Sequence, residues 1–191
     1  MAQLSIGRGF RSELDSFGRS HKSVWLLFLF YTLPFSLLPP VMLYYADTNY
    51  AGSLLALDQA QLLTVCGVFF VSELVMTFLA AILVQRICEW ADTKPSFEDA
   101  YKFAVVVPTP LWIAPMFLLI PSFILNLTVG AAALVLSGIL IFYCVPSILK
   151  VKSESIMLAS SAILSVGMVA WAAMLYVALL TWGFVTLRMF A

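Results

Sequence analysis

Apolar stretches of about 20 residues recur along this chain, and no other feature constrains its fold as tightly. A helix of that length crosses a hydrocarbon core of roughly 30 Å. Backbone groups in lipid must be hydrogen-bonded within the segment, which leaves helices or closed barrels. The stretches are continuous rather than alternating, so the barrel is set aside. Composition agrees. Of 191 residues, 63% are hydrophobic and 10% charged, against roughly 25% charged in a soluble domain. The expected fold class is all-α, a polytopic membrane helix bundle with five transmembrane helices.

The spans are expected at about 24–45, 62–84, 103–122, 125–145 and 157–187. Together they form one membrane domain over 24–187, preceded by a cytoplasmic amphipathic segment over 1–23. In that segment Phe10, Leu14 and Phe17 share one helix face among basic residues, as in a helix lying on a membrane surface. It does not read as a cleavable signal, because the apolar run after it is too long. Spans one and three are proline-kinked. Pro39 and Pro40 interrupt the first, Pro108 and Pro110 the third, and Pro146 closes the fourth. Proline removes a backbone donor and clashes one turn back. Residues 111–120 alone are too short to cross, so span three must run through its prolines.

Basic residues set the orientation. With five spans and a cytoplasmic N-terminus, every Lys and Arg but Arg188 falls on the cytoplasmic side, the positive-inside pattern. The C-terminus is then outside. The loop over 46–61 carries Asp47 and Asp58 but no Lys or Arg and belongs on the far face. A re-entrant segment over 103–122 would put Lys150 and Lys152 outside; five spans is the preferred count.

Between spans two and three lies a long polar interruption, Lys94 to Lys102. Ser96 suits an N-cap, and Glu98 and Asp99 fall in the first turn, where the helix dipole favours negative charge. Phe97 and Tyr101 are expected on one face, with Glu98, Asp99 and Lys102 on the solvated one. Ser96, Phe97, Glu98, Asp99, Tyr101 and Lys102 form a candidate cytoplasmic interaction helix. The acidic residues here show no ligand spacing and read as a solvated face.

Glu73 is the sharpest single residue. It falls in the middle of span two, where Cys66, Glu73, Thr77, Ala80 and Ala81 share a small or polar face expected to point into the bundle. An acid at mid-bilayer costs roughly 2.5–3.5 kcal/mol on insertion scales and marks a functional site by default. No Lys or Arg lies in an expected span to pair with it. In the structural reading Glu73 is a neutral carboxyl bonded to a carbonyl freed by proline, or to Thr77, Ser137, Tyr143 or Tyr176. In the functional reading Glu73 and Thr77 form an intramembrane proton or cation site. The structural reading is preferred, because a proton relay normally shows several intramembrane ionisable groups.

Other chemistry is not encoded. Cys66, Cys88 and Cys144 are scattered, without metal-ligand spacing, and read as apolar filler. His21 sits beside Lys22 at a membrane edge. There is no zinc-protease helix motif, nucleophile elbow or phosphate loop. No cofactor is implied, a non-enzymatic role is expected, and a net charge of zero gives no basic field for nucleic acid.

Several pieces, in order, carry a resemblance: Leu38-Pro39-Pro40, Pro95-Ser96-Phe97-Glu98, Pro108-Thr109-Pro110-Leu111, Tyr143-Cys144-Val145-Pro146, and the run Ser160 to Gly167. Over roughly residues 20–185 the chain resembles the bacterial branch of the Yip membrane-domain family. The resemblance implies a single five-helix domain in the bacterial cytoplasmic (inner) membrane. Eukaryotic members associate with prenylated small GTPases and carry an Asp-Leu-Tyr-Gly-Pro motif in a long cytosolic region. That motif is absent here, so small-GTPase binding is not carried over. The expected function is association with other membrane components, as an adaptor, scaffold or organiser, through a membrane-protein partner or self-association. The alternative is a small transporter or channel working through Glu73.

Overall fold

The computed structural model describes residues 24–50 and 57–187, with side chains through residue 183. The surface helix expected over 1–23 and the outer Arg188 lie outside the described residues. Every regular element among those described is helical.

Helix α1 runs Val24–Asn49 as successive pieces: Val24–Leu27, a π-helical turn Phe28–Thr32, Leu33–Ser36 and Leu38–Asn49. The π-turn has a local cause. Leu33 N–H bonds the carbonyl of Phe28, five residues back, and the next residue, Pro34, has no N–H to continue an α-helical ladder. Pro39 and Pro40 sit in the first turn of Leu38–Asn49, where a missing N–H leaves no intrahelical bond unmade.

Helix α2 is Gln59–Trp90, 32 residues long. A capping box opens it. Gln61 N–H donates to Asp58 Oδ1 at 2.8 Å, and Asp58 N–H donates to Gln61 Oε1 at 3.0 Å. A Schellman-type turn closes it. Thr93 N–H reaches Cys88 O at 2.9 Å and Asp92 N–H reaches Glu89 O at 3.2 Å, with Asp92 left-handed at φ 53°.

Helix α3 is Phe97–Val106. Its cap is Ser96, whose Oγ accepts from Asp99 N–H at 3.1 Å. After a break at Val107 and Pro108 the chain continues as α4, Thr109–Ile113, and a 3₁₀ segment, Ala114–Leu119. The pair is bent by 41°. Pro108 and Pro110 cannot donate to the turn before them, and Thr109 Oγ1 donates to Val105 O at 3.0 Å, satisfying a carbonyl at the break. Helix α5, Phe123–Ser147, starts at the Ser122 cap and contains Pro146. Helix α6 is Ile156–Leu187. Among the described residues four helices are long and apolar enough to cross a membrane, or up to five if the bent α3–α4 pair crosses as one.

The dense core sits toward one end of the bundle. It joins Ala81, Val84 and Cys88 of α2, Tyr101, Phe103 and Val105 of α3, and Cys144, Val145 and Leu149 at the end of α5. Two hydroxyl pairs tie α1 to the broken pair: Tyr31 Oη to Thr109 Oγ1 at 2.6 Å and Thr32 Oγ1 to Tyr101 Oη at 2.8 Å. Helix α6 is the least enclosed, with 6% of its most apolar window buried.

Two expectations need correction. Asp47 is not in a loop. It lies in the last turns of α1, 7% exposed, because α1 continues four residues past the expected end at 45. Lys102 is not on a solvated face. It is 3% exposed, because α3 packs against α2 and covers the lysine stem. Its Nζ stays within 3.2 Å of Glu98 Oε1 and 3.9 Å of Asp99 Oδ1, one turn back on the same helix.

Candidate functional site

Between the middles of α2, α5 and α6 and the broken α3–α4 pair lies a cavity of about 610 Å³. That volume falls within the roughly 300–1,000 Å³ typical of ligand pockets. Packing at the core end holds the helices together, while smaller side chains and the 41° bend keep them apart here. Gly130 of α5 and Gly167 of α6 line the space, and a Cβ added at either would meet nothing within 4 Å.

Glu73 lines this cavity from near the midpoint of α2, ~20–25 Å by helical rise from either end. It is 4% exposed, Thr77 5% and Ser137 6%, and all three line the space. Thr77 is committed elsewhere: its Oγ1 donates to the backbone carbonyl of Glu73 at 2.9 Å. Glu73 Oε2 and Ser137 Oγ are buried without a hydrogen-bond partner among the described residues. The expected alternatives do not reach them. Tyr143 is not among the cavity-lining residues, and Tyr176 is 61% exposed. Each buried polar atom left unpaired costs about 1–3 kcal/mol.

The remaining wall is overwhelmingly apolar and partly aromatic, with Phe69, Phe103, Trp112 and Trp171. Among the described residues no other ionisable side chain lines it. Such a cavity can hold or release a proton at the Glu73 carboxyl. It can also pair that carboxylate with a positive charge that brings its own apolar surface. It cannot neutralise an anion.

The candidate interaction helix divides. Ser96 and Phe97 are exposed, and Glu98 and Asp99 half-buried. Tyr101 and Lys102 are buried, so they brace α3 rather than face a partner. Among the described residues no group of three His, Cys, Asp or Glu could hold a metal. The cysteines are free and buried; Cys66 Sγ–H donates to the carbonyl of Pro40 at 3.4 Å. Tyr31, Thr32, Trp112 and Trp171 were not singled out by sequence. The only local signal was two hydroxyl residues beside Pro34. The Asp58–Gln61 capping box was legible in its spacing.

A family model described as the Yip1 domain matches residues 10–185. Inner membrane protein YohC of Escherichia coli strain K12 is 31% identical over 91 residues, 48% of this chain and 47% of that protein. The same figures hold for Inner membrane protein YohC of Escherichia coli O6:H1, strain CFT073. The chain thus spans about half the length of the curated relatives it matches. No solved structure matches. The matched region takes in all of α1 to α5 and nearly all of α6, so the chain belongs to the Yip1 domain family.

Proposed function

We propose that this protein is a non-enzymatic carrier of the bacterial inner membrane that works through an intramembrane proton or cation site at Glu73. One observation supports this reading above the others: Glu73 lines an open apolar cavity, and its Oε2 is buried with no protein partner among the described residues. A structural carboxyl has its hydrogen bonds made by protein or by ordered water, and the described protein supplies none to Oε2. On this ground we favour the working-group reading of Glu73 over the structural one.

The architecture we favour is five spans, with the bent α3–α4 pair crossing as one proline-kinked span, the N-terminus cytoplasmic and the C-terminus outside. Charge asymmetry supports this. The break at Pro108, midway along the bent pair and on the cavity wall, suits the carrier reading, since broken helices commonly line a path. Reconstituted vesicles carrying a pH gradient test the function, with sodium, potassium and a lipophilic cation supplied in turn. The wild-type protein should dissipate the gradient with at least one of them, and Glu73→Gln should fall to the protein-free rate. Unchanged flux in Glu73→Gln would sink the reading.

Association remains a second reading, because Trp90 at the end of α2 is 84% exposed and Phe97 at the start of α3 is 37% exposed. Photocrosslinking from Phe97 tests it. The adaptor reading requires a discrete protein adduct that disappears on reversing the charges of Glu98 and Asp99.

A further inference from the structure

We propose that the Glu73 cavity binds lipophilic organic monocations, each taken up in exchange for the carboxyl proton. This rests on the reading of Glu73 as the working group and names the class of its ligand. The charge argument comes first. Among the described residues Glu73 is the lone ionisable one lining the cavity, so an occupant carrying a single positive charge neutralises it, and an anion finds no partner among them. Small metal ions fit poorly. Magnesium and calcium take about six or more oxygens, whereas the described side chains of the cavity wall offer, besides the carboxylate, only the oxygens of Thr77, Ser137 and Asn126. A strongly hydrated ion would also lose its water to a hydrocarbon wall.

An organic cation with a shielded charge is weakly hydrated, and its apolar body matches that wall. Phe69, Phe103, Trp112 and Trp171 line the cavity, and aromatic rings attract such cations. The volume of about 610 Å³ suits a drug-sized molecule.

The exchange balances. The O–H bond of the protonated carboxyl breaks, the proton leaves to water, and the carboxylate pairs with the arriving cation. The site is neutral before and after, so neither state strands a charge in the apolar interior. Ionisable groups on the packed helices do not intervene. Asp47 of α1, Lys102 of α3, Tyr143 of α5 and Tyr176 of α6 are all absent from the lining.

The test uses the full chain in lipid nanodiscs with tetraphenylphosphonium as probe. Binding is read by tryptophan fluorescence and proton release in weak buffer. Because protons and cation compete for one carboxylate, affinity should weaken about tenfold per unit as pH falls below the carboxyl's midpoint, and level off above it. One proton should appear per cation bound in that acid range. Glu73→Gln should weaken binding on the order of 100-fold and abolish the release. Glu73→Asp should keep the pH dependence. Gly130→Leu, which fills the cavity, should weaken binding with Glu73 intact. Equal affinity in Glu73→Gln, equal affinity for uncharged triphenylphosphine oxide, binding without proton release, or no binding would each overturn the inference. Labelling of Glu73 by a lipophilic carbodiimide separates the two levels. An adduct without cation binding overturns the ligand class alone, and neither adduct nor binding overturns the site as well.

Discussion

Glu73 occupies a place where a hydrocarbon side chain would be the stable choice. Its mid-bilayer position costs roughly 2.5–3.5 kcal/mol on insertion scales, and Oε2 recovers none of that through a bond to the described protein. Replacement by leucine should therefore raise stability by about 1 kcal/mol, read as a higher midpoint of thermal unfolding in detergent, while removing function. A lower midpoint would mean that the carboxyl holds the bundle together. The inward direction of Glu73 was legible, because Cys66, Glu73, Thr77 and Ala81 recur at helical spacing and all are buried. The state of its oxygens was not, since that depends on what α5 and α6 bring opposite. Lys102 shows the same limit. Spacing placed it beside Glu98 and Asp99, correctly, but period alone cannot say whether that flank meets water or α2.

At the scale of elements, the Ser96 cap of α3 was read from the sequence. The Ser122 cap of α5 and the Asp58–Gln61 pair that opens α2 carry the same kind of local signal and went unread. What joins α1 to the broken pair was not readable, because hydroxyl pairs 69 and 78 residues apart in sequence leave no local pattern. The buried Thr32–Tyr101 pair should show a coupling of about 1 kcal/mol in a double-mutant cycle with Thr32→Val and Tyr101→Phe. Strict additivity of the two unfolding free energies would remove that tie from the account. Asp92 holds a left-handed conformation, φ 53°, which suits glycine better. Asp92→Gly should stabilise the end of α2 by a few tenths to 1 kcal/mol, seen as slower hydrogen exchange over residues 85–93. Faster exchange there would show that the aspartate side chain matters more than the backbone strain.

For the whole molecule, composition made the membrane bundle legible, and charge gave an orientation. The span count turns on α3–α4, where a 41° bend fits either a broken crossing or a re-entrant loop. In a background lacking Cys66, Cys88 and Cys144, single cysteines at Thr93 and Lys152 separate the two. Five spans put both on the cytoplasmic face, so a membrane-impermeant maleimide should label both only from that side. Labelling from opposite sides would establish the re-entrant loop. The cavity itself lay beyond sequence reasoning, because it is space between segments far apart in sequence, kept open partly by Gly130 and Gly167.

The most direct test of that cavity as the working site is carbodiimide labelling of intact membranes, followed by mass mapping of the adduct. A carboxyl lining an apolar space open to hydrocarbon reagents should be modified at Glu73. Labelling should slow as pH rises and slow further in Gly130→Leu. If Glu73 stays unmodified while other carboxyls react, or reacts at the same rate with the cavity filled, the carboxyl does not face the open space and the account fails.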